Sequence, residues 1–273
     1  MQHYFVLGNP IGHSRSPFIH QFFSKACNQD MDYSARLVPL DGFEGVIEEL
    51  KKSGFSGCNV TVPFKEQAFA LSDRLSSRAR LAGAVNTLAY DGREVFGDNT
   101  DGVGLVRDLQ RQGTQITGAK LLIIGAGGAA RGIILPLLSE RPESLYIVNR
   151  TESKAQRLAE LFRKETDCRI EAGSFEDVQS SFDLIINASS SSLKGVVPAL
   201  SRNVYESKPF VYDLMYSPEP TVFMKFAADL GCSVSDGLGM LVEQAAESFF
   251  LWRGVRPETE ELIQILRREI SGK

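Results

Sequence analysis

Lys65 occupies a position where its charge is unfavourable. In CNVTVPFKEQ, residues 58–67, an apolar strand turns through Pro63 into a predicted helix whose first turn contains this lysine. A cation there opposes the helix dipole, at a cost of about 0.3–1 kcal/mol at an exposed site. A residue that breaks a local rule without compensation indicates a function. Because an ammonium group can donate a proton or stabilise a developing negative charge, Lys65 is the first candidate for chemistry.

Two polar residues lie in the strand that precedes this lysine. Alternate side chains of a strand share a face, so Asn59 and Thr61 point one way while their neighbours point the other. A buried strand of a parallel sheet is normally apolar on both faces, and Lys65 follows its carboxyl end, where open α/β sheets bind ligands. For any one of these residues alone, an internal hydrogen bond or a surface lysine is the commoner outcome. The three together favour a binding site.

Further polar side chains lie in the same half of the chain. Ser16 before Pro17 predicts a helix N-cap followed by proline, whereas Ser14 has no such structural role. Asn86 lies inside the apolar run AGAVNTLAY. Asp101, in GDNTDGVG, could simply cap the helix that follows it. The three histidines are too few and too isolated to predict a metal site.

The middle of the chain carries a dinucleotide-binding pattern. KLLIIGAGGAARGIILPLL is an apolar strand, a glycine-rich turn and an apolar-faced helix. Gly125 permits the tight turn, Gly127 lets the backbone approach a pyrophosphate, and Ala130 takes the third place, where alanine is allowed. The pyrophosphate would lie on the free N–H groups of the helix. A simple strand–helix turn is the alternative, but the flanking elements and a following strand favour nucleotide binding.

The next strand ends in IVNRTESK and indicates which cofactor is used. An NAD site usually carries a carboxylate here that binds the ribose hydroxyls, but this chain has Asn149, followed by Arg150 and Thr151. Arg150 can bind a 2′-phosphate through paired hydrogen bonds, and Lys154 adds a charge. The alternative is a solvated helix start, which Glu152 mildly supports. The missing carboxylate makes NADP the favoured prediction.

These candidates must be positioned by alternating strands and helices. Strand-like runs such as HYFVLG, GCNVTV, SLYIVN and FDLIIN alternate with amphipathic helical stretches, which predicts an α/β fold with parallel sheets covered by helices. Two glycine-rich joints divide the chain. We predict a substrate-binding and catalytic domain over 1–101, completed by C-terminal helices 238–273, and a doubly wound Rossmann-type NADP-binding domain over 102–237.

Composition narrows the class of protein. With 273 residues the chain is about right for two domains, and 43% hydrophobic and 23% charged residues are ordinary for a soluble globular protein. The net charge of −4 and the lack of a long basic run give no indication of nucleic acid or an anionic membrane. The opening apolar run is too short for a signal or a membrane span. The scattered cysteines favour neither disulfides nor a metal site, so we expect a cytoplasmic location.

Eight motifs together resemble the shikimate dehydrogenases over nearly the whole chain. In the family's order they are GNPIGHSRSP, NVTVPFKE, GAVNTL, GDNTDG, GAGGAARG, NRT, DLMYSPEPT and DGLGMLVEQAA. The resemblance implies two α/β domains and reversible reduction of 3-dehydroshikimate to shikimate with NADPH. The expected partner is therefore a small molecule, and we expect a monomer or homodimer.

The resemblance also implies roles for individual residues. Lys65 and Asp101 match the catalytic pair. Residues that match positions holding the substrate carboxylate and hydroxyls are Ser14, Ser16, Asn59, Thr61, Asn86 and Gln244, and Tyr216 matches a tyrosine near the ring. The predicted cofactor-binding residues are Gly125, Ala126, Gly127, Gly128, Ala129, Asn149, Arg150, Thr151, Lys154, Ala188, Ser189, Gly237 and Met240, the glycine and methionine matching the nicotinamide region.

One departure from the family pattern lies after IINA. Ser189 and Ser192 stand where the family usually has threonine and glycine. Serine keeps the hydroxyl of threonine, but loss of the glycine could strain a turn that needs a positive φ.

Two rival functions stay open. One is a quinate/shikimate dehydrogenase of relaxed specificity, often using NAD. The other is an NADP-binding sensor without turnover, which retention of Lys65 and Asp101 disfavours.

Overall fold

The structure, a computed structural model, describes residues 2–272 and divides into two compact units. The first unit comprises the chain up to Gly104 together with Val242–Leu262; the second comprises Leu105–Leu241 and the residues from Ile263 on. The predicted division at residues 101 and 237 lies a few residues from two of these boundaries. The end of the chain groups with the second unit, although we had placed all of 238–273 with the first. The functional roles of the two parts stay predictions.

The chain begins with elements of the first unit. They are β1 (Gln2–Gly8), α1 (Ser16–Ala26), β2 (Met31–Leu37), α2 (Phe43–Ser53), β3 (Gly57–Val60), α3 (Lys65–Ala70), β4 (Arg74–Leu75), α4 (Ser77–Ala82), β5 (Thr87–Tyr90), β6 (Val95–Asp98) and α5 (Asp101–Arg111).

The elements that follow are β7 (Lys120–Ile124), α6 (Gly128–Ser139), β8 (Ser144–Val148), α7 (Glu152–Arg163), β9 (Arg169–Gly173), β10 (Leu184–Asn187), β11 (Phe210–Asp213), α8 (Val222–Asp229), β12 (Val234–Asp236), α9 (Leu238–Arg253) and α10 (Glu260–Ile270). Short 3₁₀ helices cover Ser192–Lys194 and Arg202–Tyr205.

The sheet of the first unit is mixed, with strand order β2-β1-β3-β5-β6-β4. β1 runs parallel to β2 and β3, but β5 is antiparallel to both β3 and β6. The sheet is therefore rich in parallel pairs, as the alternation predicted, but it includes antiparallel pairs that the alternation did not predict. β5 and β6 are joined by a short turn in which Asp91 Oδ1 accepts from the amides of Arg93 and Glu94, and so short a connection forces an antiparallel hairpin.

The two faces of β3 differ as the alternation predicts. Cys58 and Val60 belong to an apolar cluster that includes Phe43 and Ile47 of α2. Asn59 is directed to the other face. Burial of Cys58 and Val60 therefore fixes which face of the strand Asn59 occupies.

Trp252 of α9 packs on the face opposite this cluster. Its ring lies 4.7 Å from that of Tyr4, and its Nε1–H donates to the Leu88 carbonyl at 2.9 Å. A Cβ added to Gly57 would lie 2.6 Å from this indole nitrogen, so the strand needs glycine there. The contact anchors α9 to the sheet of the first unit.

The second unit has a parallel sheet with strand order β12-β11-β10-β7-β8-β9. Numbered within the unit, this is the order 3-2-1-4-5-6 read from the β9 edge, which is that of doubly wound dinucleotide-binding folds. The predicted α/β architecture with a Rossmann-type unit is confirmed. The strand order reverses between β7 and β10, so a ligand is expected beyond the carboxyl ends of those two strands.

Two classes of feature are missing from the part of the chain that is described. Among residues 2–272, no helix combines the length and apolar character needed to cross a membrane. The same residues contain no group of three or more His, Cys, Asp or Glu side chains placed to hold a metal ion.

Candidate active site

Lys65 and Asp101 meet in the first unit. Each is the first residue of its helix, α3 and α5 respectively. Lys65 Nζ donates to Asp101 Oδ2 at 2.6 Å, with the two side chains 31% and 19% exposed. The carboxylate offsets the unfavourable position of the ammonium at a helix start, while both groups keep access to solvent. An ion pair of this kind can place a proton donor beside a substrate oxygen.

The second oxygen of Asp101 is also occupied. Asn86 Nδ2 donates to Asp101 Oδ1 at 2.7 Å, and the Asp101 amide donates to Asn99 Oδ1 at 3.2 Å. Asn99 therefore caps the start of α5. The alternative role of Asp101 as the cap of a helix beginning after it was wrong, since α5 begins at Asp101 itself. Its carboxylate is left to face Lys65 and Asn86.

Gln244 joins the same cluster from α9. Its Oε1 accepts from Asn86 Nδ2 at 3.2 Å and from Thr100 Oγ1 at 3.3 Å. Asn86 Oδ1 in turn accepts from the Thr100 amide at 2.9 Å. Four predicted site residues, Lys65, Asn86, Asp101 and Gln244, are thus brought into one hydrogen-bonded group.

Asn59 is the centre of a second, buried group. Its Oδ1 accepts from Tyr33 at 2.8 Å and lies 3.1 Å from His20 Nε2. Its Nδ2 donates to Thr87 Oγ1 at 3.1 Å and to Ser248 Oγ at 2.9 Å. The internal hydrogen bonding that we weighed against a binding role is thus present. Asn59 connects the sheet to α1 and α9.

His20 was missed by the sequence analysis. Complete burial lowers its pKa to about 3, although the hydrogen bond with Asn59 acts in the opposite direction. Its ring stacks on Tyr33 at 4.2 Å, and Nδ1 has no partner among the described residues. The ring is neutral at ordinary pH, and Nε2 must carry its hydrogen to donate to Asn59. The FIHQFF pattern of α1 could have indicated a buried histidine, but not its partner.

The two serines lie at the start of α1. Ser16 is the first helical residue and Arg15 takes the N-cap position, so the prediction that Ser16 is the N-cap was wrong. Ser14 Oγ accepts from the Ser16 amide at 3.3 Å, which gives Ser14 the local role that the sequence had not suggested. Ser16 is half-buried. Among the described residues, no hydrogen bond joins its hydroxyl to the buried group around Asn59.

Thr61 lies one residue beyond the end of β3 and is half-buried. Its amide donates to the Leu7 carbonyl at 2.9 Å, and its methyl group lies 2.5 Å from where a Cβ on Gly8 would be. Gly8 thus leaves the space that Thr61 fills at the carboxyl ends of β1 and β3. Within residues 2–272, no side-chain hydrogen bond joins Thr61 to the Lys65 group.

The glycine turn of the second unit suits a dinucleotide. Gly125 has φ +113°, and a Cβ there would lie 3.1 Å from the Ala188 carbonyl oxygen. Cβ atoms added to Gly127 or Gly128 would meet nothing within 4 Å, so the turn has open space before it. Gly127 is the N-cap of α6 and offers no side-chain cap. The first N–H groups of α6, from Gly128 and Ala129 onward, are thus available to a phosphate, and the turn fits the cofactor.

The residues after β8 present two cations. Arg150 and Lys154 are exposed, and within residues 2–272 neither forms an ion pair. Glu152, the possible partner, instead accepts from Gln156 at 2.5 Å. Asn149 Nδ2 donates to the Thr151 carbonyl at 2.9 Å, which fixes the turn into α7. This arrangement leaves the guanidinium and ammonium free to bind an anion.

Further predicted site residues, Tyr216 for the substrate and the others for the cofactor, follow β10, β11 and β12 in the chain. A Cβ on Gly237 would lie 2.1 Å from the Leu214 carbonyl oxygen, so only glycine fits beside the segment that leads to Tyr216. Tyr216 is 38% exposed, and Met240 is half-buried in the first turn of α9. Ser189 Oγ donates to Asn187 Oδ1 at 2.7 Å.

Ser192 is not strained. It begins a 3₁₀ helix, and the positive φ of 66° belongs to Gly195, three residues later. The expectation of strain at Ser192 was wrong, because the residue of this turn with a left-handed backbone conformation is Gly195. The Ser192 hydroxyl donates to Asp213 Oδ2 at 2.5 Å.

A doubly wound sheet with a glycine turn, in a chain that also carries a Lys–Asp pair, is typical of nucleotide-dependent oxidoreductases. Three family descriptions match the chain: "Shikimate dehydrogenase substrate binding domain" at residues 6–88, "Shikimate / quinate 5-dehydrogenase" at 108–214 and "Shikimate 5'-dehydrogenase C-terminal domain" at 237–267. The chain belongs to the shikimate dehydrogenase family, which confirms the resemblance found in the sequence.

Individual relatives agree with this family assignment. "Shikimate dehydrogenase (NADP(+))" of Herminiimonas arsenicoxydans is 52% identical over 98% of this chain and 97% of its own. The crystal structure of an Ael1 enzyme from Pseudomonas putida has a TM-score of 0.93 at 40% identity, covering 97% and 98% of the two chains. Shikimate 5-dehydrogenase from Thermus thermophilus, in complex with NADP(H) and shikimate, has a TM-score of 0.87 at 32% identity, covering 98% and 99%.

Proposed function

We propose that this protein is an NADP-dependent shikimate dehydrogenase that reversibly reduces 3-dehydroshikimate to shikimate in aromatic amino acid biosynthesis. The observation that carries the proposal is the 2.6 Å hydrogen bond between Lys65 and Asp101 inside a group of polar side chains. Relatives of about half-identical sequence bear this name over nearly their full length. The chain supplies both the proton-holding pair and the dinucleotide turn that the reaction requires.

The Lys65–Asp101 pair holds the proton of the reaction. Bound NADPH supplies the hydride for the substrate carbonyl carbon. Lys65 Nζ then provides positive charge and a proton to the substrate oxygen as negative charge develops on it. Asp101 orients the ammonium through Oδ2, and Asn86 fixes Oδ1.

The other polar groups of the first unit bind the carboxylate and hydroxyls of the substrate. We assign this role to Ser14, Ser16, Asn59, Thr61, Asn86 and Gln244, and we assign Tyr216 a place near the ring. The Asn59 side chain also positions Tyr33, which donates to its Oδ1 at 2.8 Å. We assign substrate binding to residues 1–101 with 238–273, and NADP binding to 102–237.

The cofactor lies along the glycine turn of the second unit. Gly125, Ala126, Gly127, Gly128 and Ala129 bind the pyrophosphate, while Ala188, Ser189, Gly237 and Met240 lie nearer the nicotinamide. Arg150, with Lys154, binds the 2′-phosphate that distinguishes NADP from NAD. This assignment is supported because both side chains are exposed and neither has an ion-pair partner in the described part of the chain. The protein is expected to act in the cytoplasm as a monomer or homodimer.

Initial rates on shikimate and on quinate, each with NADP and with NAD, test this proposal. We expect the highest kcat/KM for shikimate with NADP. A clear preference for quinate with NAD would favour the quinate/shikimate dehydrogenase of relaxed specificity. The family that matches residues 108–214 includes both shikimate and quinate in its name. Cofactor binding without turnover on any pair would instead identify a sensor.

A further inference from the structure

The segment after β10, residues 188–195, lies against the dinucleotide turn; we call it the serine loop. The added Cβ on Gly125 would lie 3.1 Å from the Ala188 carbonyl oxygen and 3.2 Å from the Ser189 amide nitrogen. β10 pairs directly with β7, and their carboxyl ends meet where the strand order reverses. The conformation of the serine loop therefore shapes the place where this sheet type binds a dinucleotide.

The start of the loop is fixed by Asn187, the last residue of β10. Its side chain is fully buried, and Oδ1 accepts from the Ser189 amide at 3.1 Å and from the Ser189 hydroxyl at 2.7 Å. Its Nδ2 donates to Asp213 Oδ1 at 3.2 Å. Asn187 Nδ2 also donates, at longer distances, to Ser191 Oγ at 3.4 Å and to Ser192 Oγ at 3.3 Å, so Asn187 reaches the following turn as well.

Ser192 fixes that turn to the end of β11. Its hydroxyl donates to Asp213 Oδ2 at 2.5 Å, and Thr221 Oγ1 donates to the same oxygen at 2.7 Å. Asp213 is fully buried and, within residues 2–272, makes no ion pair, so hydroxyl and amide donors alone stabilise its charge. Hydrogen bonds to a buried carboxylate are among the stronger ones. Removing the Ser192 hydroxyl takes away one of these donors.

We propose that Ser192 is a positioning residue for the dinucleotide: its hydrogen bond to Asp213 holds the serine loop in the conformation that binds NADP. The proposal rests on the NADP binding proposed above. It gives a function to a position where the family pattern has glycine, a residue that could not make this bond. The Ser192–Asp213 bond also ties the serine loop to the segment that carries Tyr216, because the Met215 amide donates to Asp213 Oδ1 at 3.1 Å.

The test is the affinity of the full-length protein for NADP, measured by isothermal titration calorimetry without substrate. We expect Ser192→Ala and Ser192→Gly to weaken NADP binding about tenfold, the effect of losing one hydrogen bond to a charged group. Ser192→Thr, which keeps the hydroxyl, should bind within about twofold of the wild type. Ser190→Ala is the matched control, because Ser190 is exposed in the same loop and its side chain makes no hydrogen bond among the described residues.

A second readout separates positioning from a general loss of stability. Backbone hydrogen exchange in the cofactor-free protein should quicken in 188–195 for Ser192→Ala but not for Ser190→Ala, and KM for NADP should rise while kcat changes little. Equal NADP affinity in wild type and Ser192→Ala would overturn the proposal, as would a lowered melting temperature with unchanged affinity. Failure of the wild type to bind NADP at all would instead remove the proposed function on which this rests.

Discussion

Lys65 and Asp101 are 36 residues apart in the chain, yet Nζ of one lies 2.6 Å from Oδ2 of the other. Each is the first residue of its helix. The pair remains partly exposed, which suits groups that must meet a substrate. A charge that is locally unfavourable at the start of α3 is thus compensated by a carboxylate from the start of α5.

Lys65→Ala should lower turnover by at least about a hundredfold, the range typical of a lost general acid or base. Shikimate should still bind, because other polar groups hold its carboxylate and hydroxyls. Steady-state rates and a shikimate binding titration check both statements. Lys52→Ala, at an exposed lysine of the same unit, is the control and should behave as wild type. Near-normal turnover in Lys65→Ala would remove the mechanism.

Arg150→Ala should weaken NADP far more than NAD, since only NADP carries the 2′-phosphate. Loss of one charge-assisted contact predicts a roughly tenfold or larger fall in the NADP/NAD affinity ratio. Arg157→Ala, at an exposed arginine of α7, should leave that ratio unchanged. If both cofactors weaken equally in Arg150→Ala, the arginine is only structural.

His20 should make stability depend on pH. Its folded pKa is about 3 and the reference value is 6.5, so between these values the unfolded state binds the proton and the folded state does not. The contribution of His20 to the free energy of unfolding is therefore fully present above about pH 6.5. It falls as the pH drops towards 3, by up to about 1.4 kcal/mol per pH unit. Denaturant unfolding of wild type and His20→Gln across this range should show the smaller slope in the variant.

The control for this experiment is His13→Gln, because His13 is exposed. It should keep the slope of the wild type. Identical slopes in wild type and His20→Gln would show that His20 is not the buried titrating group inferred from the structure.

Arg78→Ala should destabilise the first unit strongly. Arg78 donates to both oxygens of Asp98 at 2.7 and 2.5 Å, and the Asp98 side chain is 2% exposed. Burial raises the pKa of Asp98, but the hydrogen bonds and charge of Arg78 outweigh it and lower the pKa overall. Leaving this carboxylate unpaired should cost about 3–5 kcal/mol in denaturant unfolding. Arg80→Ala, exposed on the same helix, should cost little; a similar loss in both would contradict the assignment.

Local patterns predicted the elements that carry the site, but not all of their contacts. The glycine turn and the alternation in β3 depend on neighbouring residues, so the sequence contains them. The antiparallel strands β5 and β6 were missed because each has only four residues, too few to show a clear pattern. The N-cap of α1 was misplaced by one residue, the usual size of such an error.

The buried group around Asn59 could not be predicted, because its partners are distant in sequence. Ser248 lies 189 residues away and His20 lies 39 away. Periodicity shows that Asn59 needs partners without showing which ones the fold supplies. Similarly, the sequence presented Ser192 only as a missing glycine, and its bond to Asp213 depends on two strands lying side by side.

The contact between Trp252 and the sheet gives the chain a built-in optical label. Trp252 is the single tryptophan of the sequence, and its indole lies against Tyr4 and Leu88 in the first unit. The fluorescence of Trp252, when it is excited selectively, therefore reports the melting of the first unit alone. Circular dichroism reports the melting of both units. Any difference between the two transition curves measures how independently the halves unfold, without attaching a dye.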